Sequence, residues 1–270
     1  MMMAILTISR DFRSGSREIG SAVAKVLNYQ YVSKETILQD MKAAGERWER
    51  VGRKLDEIVP SFWERYDWEY QGFVALVESY IYEHALGDNV IIVGRGGNYL
   101  LQGIPYVLMI RLTAAKDKRI ERVMLEDRMD YKTASLIIDR MDRNRAGFIH
   151  THYGRKWDDP ENYDMVLNTG IETYEQVTKI LVDALREKAS LATPEARKML
   201  AARALAARVR AGVLTDRRFH LPTLEVSSDG ESVILQGIVH NVDEHRAVEE
   251  LAQKIAAPTR VHCKLHYRTR

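Results

Sequence analysis

ILTISRDFRSGSREIG (5–20) is the stretch on which the reading of the whole chain turns. A short apolar run, Ile5 to Ile8, ends in a Ser/Gly/Arg turn, and helical periodicity takes over at about Arg17. A strand, a loop of small residues and a helix start together cradle phosphate: successive backbone N–H groups turn inward, and the helix N-terminus adds the positive end of its dipole. The loop is not a Walker A sequence, which needs a lysine after its last glycine; here Gly15 is followed by Ser16 and Arg17. Small polar residues also make ordinary turns and helix caps, so the rest of the chain has to decide between the two readings.

Working outward, short apolar or β-branched runs at 3–8, 29–32, 89–93, 106–112 and 163–168 read as strands. Helical patterns lie between and after them at 17–27, 34–58, 71–86, 116–128, 132–149 and 172–188. Strands that are apolar on both faces and separated by helices imply a parallel sheet covered on both sides. Ligands of such sheets sit beyond the carboxyl ends of the strands. The loops at 9–16, 94–98 and 113–116 all follow strands, so they are expected on one rim.

The character changes after about residue 188. ASLATPEARKMLAARALAARVRAG (189–212) is rich in Ala and Arg, with Pro194 near a helix start and Gly212 as the expected stop. TLEVSS (223–228) and SVILQGIVH (232–240) flank Asp229-Gly230, a hairpin signal. An amphipathic segment (243–257) and an alternating one (259–267) follow. The order α-β-β-α-β is a complete small domain by length. The reading is therefore two domains, 1–190 and 195–270, the second expected to fold alone.

A chain of 270 residues can bury one large core or two modest ones. Residues 1–190 carry 27 Lys/Arg against 29 Asp/Glu, and residues 191–270 carry 13 against 9, an excess too small to argue for nucleic acid. The single cysteine, Cys263, excludes an intrachain disulfide and fits a reducing compartment. Apolar runs such as VIIV (90–93) fall far short of the roughly 18–20 residues that span a bilayer. Arg10 and Asp11 follow the first apolar run too closely for a signal peptide. A cytoplasmic location and no transmembrane segment are the expectation.

Four stretches in order, ISRDFRSGSREIG (8–20), VGRGGNYLL (93–101), RLTAAKDKRIERV (111–123) and DRNRAGFIHTHYGRKWDDPENYDMVLNTG (142–170), resemble the cytidylate-kinase-like family of divergent P-loop nucleoside monophosphate kinases. The resemblance implies a three-layer α/β/α fold with a five-stranded parallel sheet, a monophosphate-binding insert (about 34–88) and an Arg-rich lid (about 113–157). The implied reaction is ATP- and Mg2+-dependent phosphorylation of CMP or dCMP. DGESVILQG (229–237) and the element order around it resemble a BON domain. That family implies binding of a phospholipid surface or a protein partner.

Phosphoryl transfer asks for positioned donors and cations rather than covalent chemistry. The candidate ATP-phosphate residues are Arg13, Ser14, Gly15, Ser16, Arg17 and Glu18, with Arg17 standing in for the absent lysine and Ser14 or Ser16 offering a hydroxyl to Mg2+. The family has glycine at two positions that are Arg13 and Ser16 here, and Asp where Val93 stands. Gly94 and Arg95 are the candidate acceptor site, since Arg pairs bidentately with phosphate oxygens. From the lid, Arg140 and Arg143, one helical turn apart, are the candidates to join Arg17 in catalysis. Asn168 and Thr169 end the last strand where the adenine is expected. Eight of 22 aromatics fall within 62–82; they suit base stacking, core packing or a homodimer face. Two other readings stay open: a nucleotide-sensing or scaffold protein that has lost catalysis, and a kinase for another small acceptor.

Overall fold

The computed structural model describes residues 4–55, 60 and 63–267; Phe62 of the aromatic stretch lies outside them. Two compact units divide the chain. The first holds residues up to Thr36 together with Gly87–Ala192; the second holds Ile37–Leu55, Ser61–Leu86 and Thr193 onward. The helices that the sequence assigns to an insert of the first domain therefore group with the C-terminal segment.

In the first unit, β1 (Ile5–Arg10), β2 (Gln30–Val32), β3 (Val90–Val93), β4 (Val107–Thr113) and β5 (Met165–Asn168) form a parallel sheet in the order β2-β3-β1-β4-β5. Ile5 registers with Val90 on one side and Val107 on the other. β1 is buried on both faces because it is central. The chain runs to one side of β1 and then to the other, so the loop after β1 occupies the switch point, where ligands of such sheets bind. α1 (Ser16–Leu27) and α8 (Tyr174–Lys188) cover one face, packing Ile19, Val23, Val177, Leu181 and Leu185 on Leu6, Ile8, Leu108 and Ile110. Thr173 caps α8 and forms a capping box with Gln176.

The helical pattern at 34–58, whose last three residues lie outside the described ones, resolves into α2 (Lys34–Ala43), which belongs to the second unit from Ile37 on, and α3 (Glu46–Leu55). Gly45 between them takes φ +128°, which breaks the helix. α4 (Trp68–Leu86) buries residues around most of its circumference, including Tyr70, Phe73, Leu76, Val77 and Ile81. A helix without a polar face needs neighbours on several sides, and α9 (Pro194–Leu214) supplies one, with small Ala side chains that permit close approach. Glu78 and Arg210 join the pair at 2.9 Å. α9 runs two residues past Gly212, which is not a stop: a Cβ there would collide with the Ile255 side chain, so the glycine admits α10 (Val242–Ala256).

β6 (Glu225–Ser228), β7 (Ser232–Val239) and β8 (Arg260–Tyr267) form the second sheet, β6 antiparallel and β8 parallel to β7. Gly230 takes φ +89° in the expected hairpin turn. The Asp229 carboxylate there accepts the N–H groups of Glu231 and Ser232, both at 2.8 Å. No helix among the described residues is long and apolar enough to cross a membrane.

Candidate active site

The loop between β1 and α1 is built to present backbone donors. Gly15 opens the helix at φ +82°, and the Tyr174 ring lies where a Cβ would project. Ser14 is buried: its hydroxyl donates to the Asp11 carbonyl at 3.0 Å, and its carbonyl accepts from Thr169 Oγ1 at 2.8 Å. Among the described residues, no protein acceptor meets the N–H groups of Gly15, Ser16, Arg17 and Glu18. They are the orphan donors of a helix start, and they face a cleft of about 720 Å³.

Arg13 sits in the left-handed region at φ +62°, a conformation costly for a residue with a Cβ. Neighbours hold it there. Its guanidinium pairs with Glu126 and Asp127 near the end of α6 (Lys116–Asp127), and its carbonyl accepts from Arg122 at 3.0 Å. The backbone thus takes a conformation that glycine adopts without cost, while the side chain is drawn toward α6.

Below the loop, Asp11 accepts from Arg111 at 2.7 Å, and Arg111 stacks 4.0 Å over Trp157. Burial raises the Asp11 pKa above the ordinary carboxylate value, against the opposing pull of Arg111 and Arg119. On α7 (Tyr131–Tyr153), Asp142 accepts the Phe12 N–H at 2.9 Å and pairs with Arg119 at 2.6 Å. Arg145 donates to the Arg10 carbonyl at 3.0 Å. The cleft gathers six cations, Arg10, Arg13, Arg17, Lys34, Arg122 and Arg145, against Asp11, Glu18, Glu35 and Glu126, so it favours an anion.

A second loop on this rim follows β3. Gly94, Arg95 and Gly96 take φ +79°, +59° and +73°, closed at the start of the short α5 (Gly97–Leu100) by Gly97 N–H donating to the Gly94 carbonyl at 3.1 Å. Gly94 suits this backbone because its φ is one that a side chain strains, and the Arg10 guanidinium lies where a Cβ would project. Arg95, Arg145, Asn98 and Trp157 line a smaller cavity of about 50 Å³. Asn98 is only 5 % exposed, and its Nδ2 meets no acceptor among the described residues. Burial, and then the neighbouring Arg145 charge, push the Arg95 pKa down to about 10. Two guanidiniums crowded beside an unspent amide donor suit an oxygen-rich anion.

The structure distributes the expected site residues unevenly. Arg13, Gly15, Ser16, Arg17 and Glu18 line the large cleft, and Arg17 is exposed with no ion pair among the described residues. Ser14 is buried and does not line it, so of the expected loop residues the Ser16 hydroxyl and the Glu18 carboxylate are the side-chain oxygens in the cleft that could reach Mg2+. Gly94 and Arg95 line the small cavity. Arg140 and Arg143 are exposed and line neither, and Arg143 Nε turns back to the Asp139 carbonyl at 3.1 Å. The inward stripe of α7 is Ala134, Ile138 and Ile149; Asp142 and Arg145 fall on it at helical spacing, whereas Arg140 and Arg143 do not. Asn168 and Thr169 line neither cavity: Asn168 Oδ1 accepts from Gly170 N–H at 2.9 Å, and Thr169 is buried beneath the loop. The residue patterns of the sequence assign no site role to Arg10, Lys34, Asn98, Tyr174, Arg122 or Arg145, all of which line one of the two cavities.

A central strand, an orphan-amide loop and a basic cleft at the switch point define a P-loop kinase architecture. The chain belongs to the cytidylate kinase-like family, whose model matches residues 5–171, and residues 202–269 match the BON domain. A cytidylate kinase of Pyrobaculum islandicum is 24 % identical over 183 residues, covering 67 % of this chain and 92 % of that protein. A uronate isomerase of Corynebacterium glutamicum is 34 % identical over 104 residues, 38 % of this chain; the match spans 20 % of that relative's length. A solved structure of an uncharacterized Eubacterium ventriosum protein superposes with TM-score 0.55 at 22 % identity, covering 67 % of this chain and 98 % of that one, and so supports the fold.

Proposed function

We propose that the protein transfers the γ-phosphoryl group of ATP to a nucleoside monophosphate, CMP or dCMP first among them. The observation that carries this reading is the pairing of two anion sites on one rim: the open N–H groups of Gly15 to Glu18, and the Arg95–Arg145–Asn98 cavity. The first suits the β- and γ-phosphates, with Arg17 beside them; the second suits the acceptor phosphate. An anionic acceptor oxygen attacks the γ-phosphorus, the bond to the bridging oxygen breaks, and ADP leaves; no proton has to move. Arg122 and Arg145 would spread the charge of the transferring group. Mg2+, held by the Ser16 hydroxyl and the carboxylate of Glu18, would neutralise charge on the β- and γ-oxygens. The Pyrobaculum relative supports cytosine as the acceptor base.

A second reading, nucleotide binding without turnover, is favoured by Val93, an apolar residue on the cleft wall where related kinases place an acid. A coupled ADP-release screen over CMP, dCMP, UMP, AMP and dTMP separates the two. Turnover with CMP or dCMP that falls in Arg95→Gln supports the kinase. ATP binding by calorimetry without turnover on any acceptor supports the scaffold.

A further inference from the structure

The BON-matching segment carries a cluster that the kinase reading does not use. His245 and Glu249 lie one turn apart on α10 and so share a face. Cys263 lies on β8, where Val261, Cys263 and Leu265 alternate toward the more buried side and His262, Lys264 and His266 are exposed. One ligand atom from each of His245, Glu249 and Cys263 falls within 4.8 Å of the other two, and among the described residues this is the one such trio. We propose that these three side chains form a Zn2+-class metal site.

The chemistry of the set selects the ion. An imidazole nitrogen, a thiolate and one carboxylate suit a borderline-soft divalent metal, whereas Ca2+ and Mg2+ ask for shells of oxygen. Bonds of about 2.0–2.3 Å place tetrahedral ligands roughly 3.5 Å apart, so the trio closes by about 1 Å. Glu249 is exposed and supplies that freedom through its rotamers. Tyr267, four residues beyond Cys263 and thus on the same face of β8, holds its hydroxyl 3.0 Å from His245 Nδ1. Partners of this kind fix the ring of a ligating histidine. Glutamate and thiolate together balance a dication, so the loaded site is neutral. Three protein ligands leave a tetrahedral position for water or a small exogenous ligand, as sites that work on ligands do.

The test uses the full chain, reduced with a phosphine and stripped with a chelator, then titrated with Co2+ and afterwards Zn2+. Expected are one equivalent of Co2+ with a thiolate-to-cobalt charge-transfer band, displacement by Zn2+, and a rise in Tm of about 5 °C at saturating Zn2+. Cys263→Ser should abolish the band, and His245→Ala should weaken binding at least 100-fold, with ATP affinity unchanged in both. Independently of any variant, Zn2+ should block alkylation of Cys263 in the wild-type chain. No charge-transfer band, an equal Tm shift in Cys263→Ser, or alkylation unaffected by Zn2+ would each overturn the site.

Discussion

The Thr169 hydroxyl, just past the end of β5, donates to the Ser14 carbonyl at 2.8 Å, tying the last core strand to the loop between β1 and α1. Arg122 completes the tie, donating to the Thr169 carbonyl at 2.8 Å and the Arg13 carbonyl at 3.0 Å. The loop's shape is thus imposed from beneath by residues far along the chain. Thr169→Val keeps the volume and removes the donor. It should cost about 1–3 kcal/mol of stability, read from urea denaturation, with a parallel loss of ATP affinity. Unchanged midpoints would show that the Ser14 carbonyl finds another donor.

Gly15 is constrained twice, by φ +82° and by the Tyr174 ring. Gly15→Ala should destabilise the fold by at least about 1–3 kcal/mol and close the anion cradle. The double variant Gly15→Ala with Tyr174→Ala should regain the steric part only. A thermodynamic cycle with no coupling between the two substitutions would place the ring elsewhere.

The arginines make separable contributions. Arg17→Ala should weaken ATP binding by about 1.5–3 kcal/mol, the worth of a charge-assisted hydrogen bond, with the acceptor KM little changed. Arg145→Ala should lower kcat about 100-fold or more. Arg140→Ala and Arg143→Ala, exposed and off the inward stripe of α7, should have much smaller effects. Steady-state kinetics rank them, and a larger loss at Arg140 or Arg143 would mean that α7 turns its other face to the nucleotide during turnover.

Cys263 supplies a pH signature. Burial and then the Glu249 carboxylate push its pKa up to about 11. An unfolded cysteine titrates near 8.5, so the unfolded chain releases this proton first and stability contributed by Cys263 falls as pH rises through that window. With chelator present, iodoacetamide should react slowly at pH 8 and faster toward pH 11. Glu249→Gln should move the rate profile to lower pH. A profile centred near 8.5 would show an ordinary thiol.

The grouping of α4 with α9 changes what can be cut from the chain. Residues 193–270 alone would expose the α9 face that α4 covers and leave Arg210 without Glu78. The fragment should give a poorly dispersed amide spectrum and bind a hydrophobic dye. A dispersed spectrum would show that α9, α10 and the small sheet suffice.

The sequence by itself determined the order and kind of elements. Ile5 to Ile8 and Val90 to Val93 are apolar on both faces, and that local pattern leaves a central parallel strand as the physical solution. Asp229-Gly230 specified its hairpin for a similarly local reason. Of the candidate residues, Gly15 and Gly94-Arg95 could be placed on cavity-lining loops from sequence because each loop follows a strand. What only tertiary structure decided was which side chains meet. Arg145 rather than Arg140 or Arg143 enters the cleft because the helix is oriented by burial of Ala134, Ile138 and Ile149, a stripe whose helical spacing in the sequence runs through positions 142 and 145. No such local signal exists for Thr169 on Ser14, for α4 against α9, or for Cys263 beside His245. These are long-range pairings set by how whole faces are buried, and residue type and spacing carry no record of which face meets which.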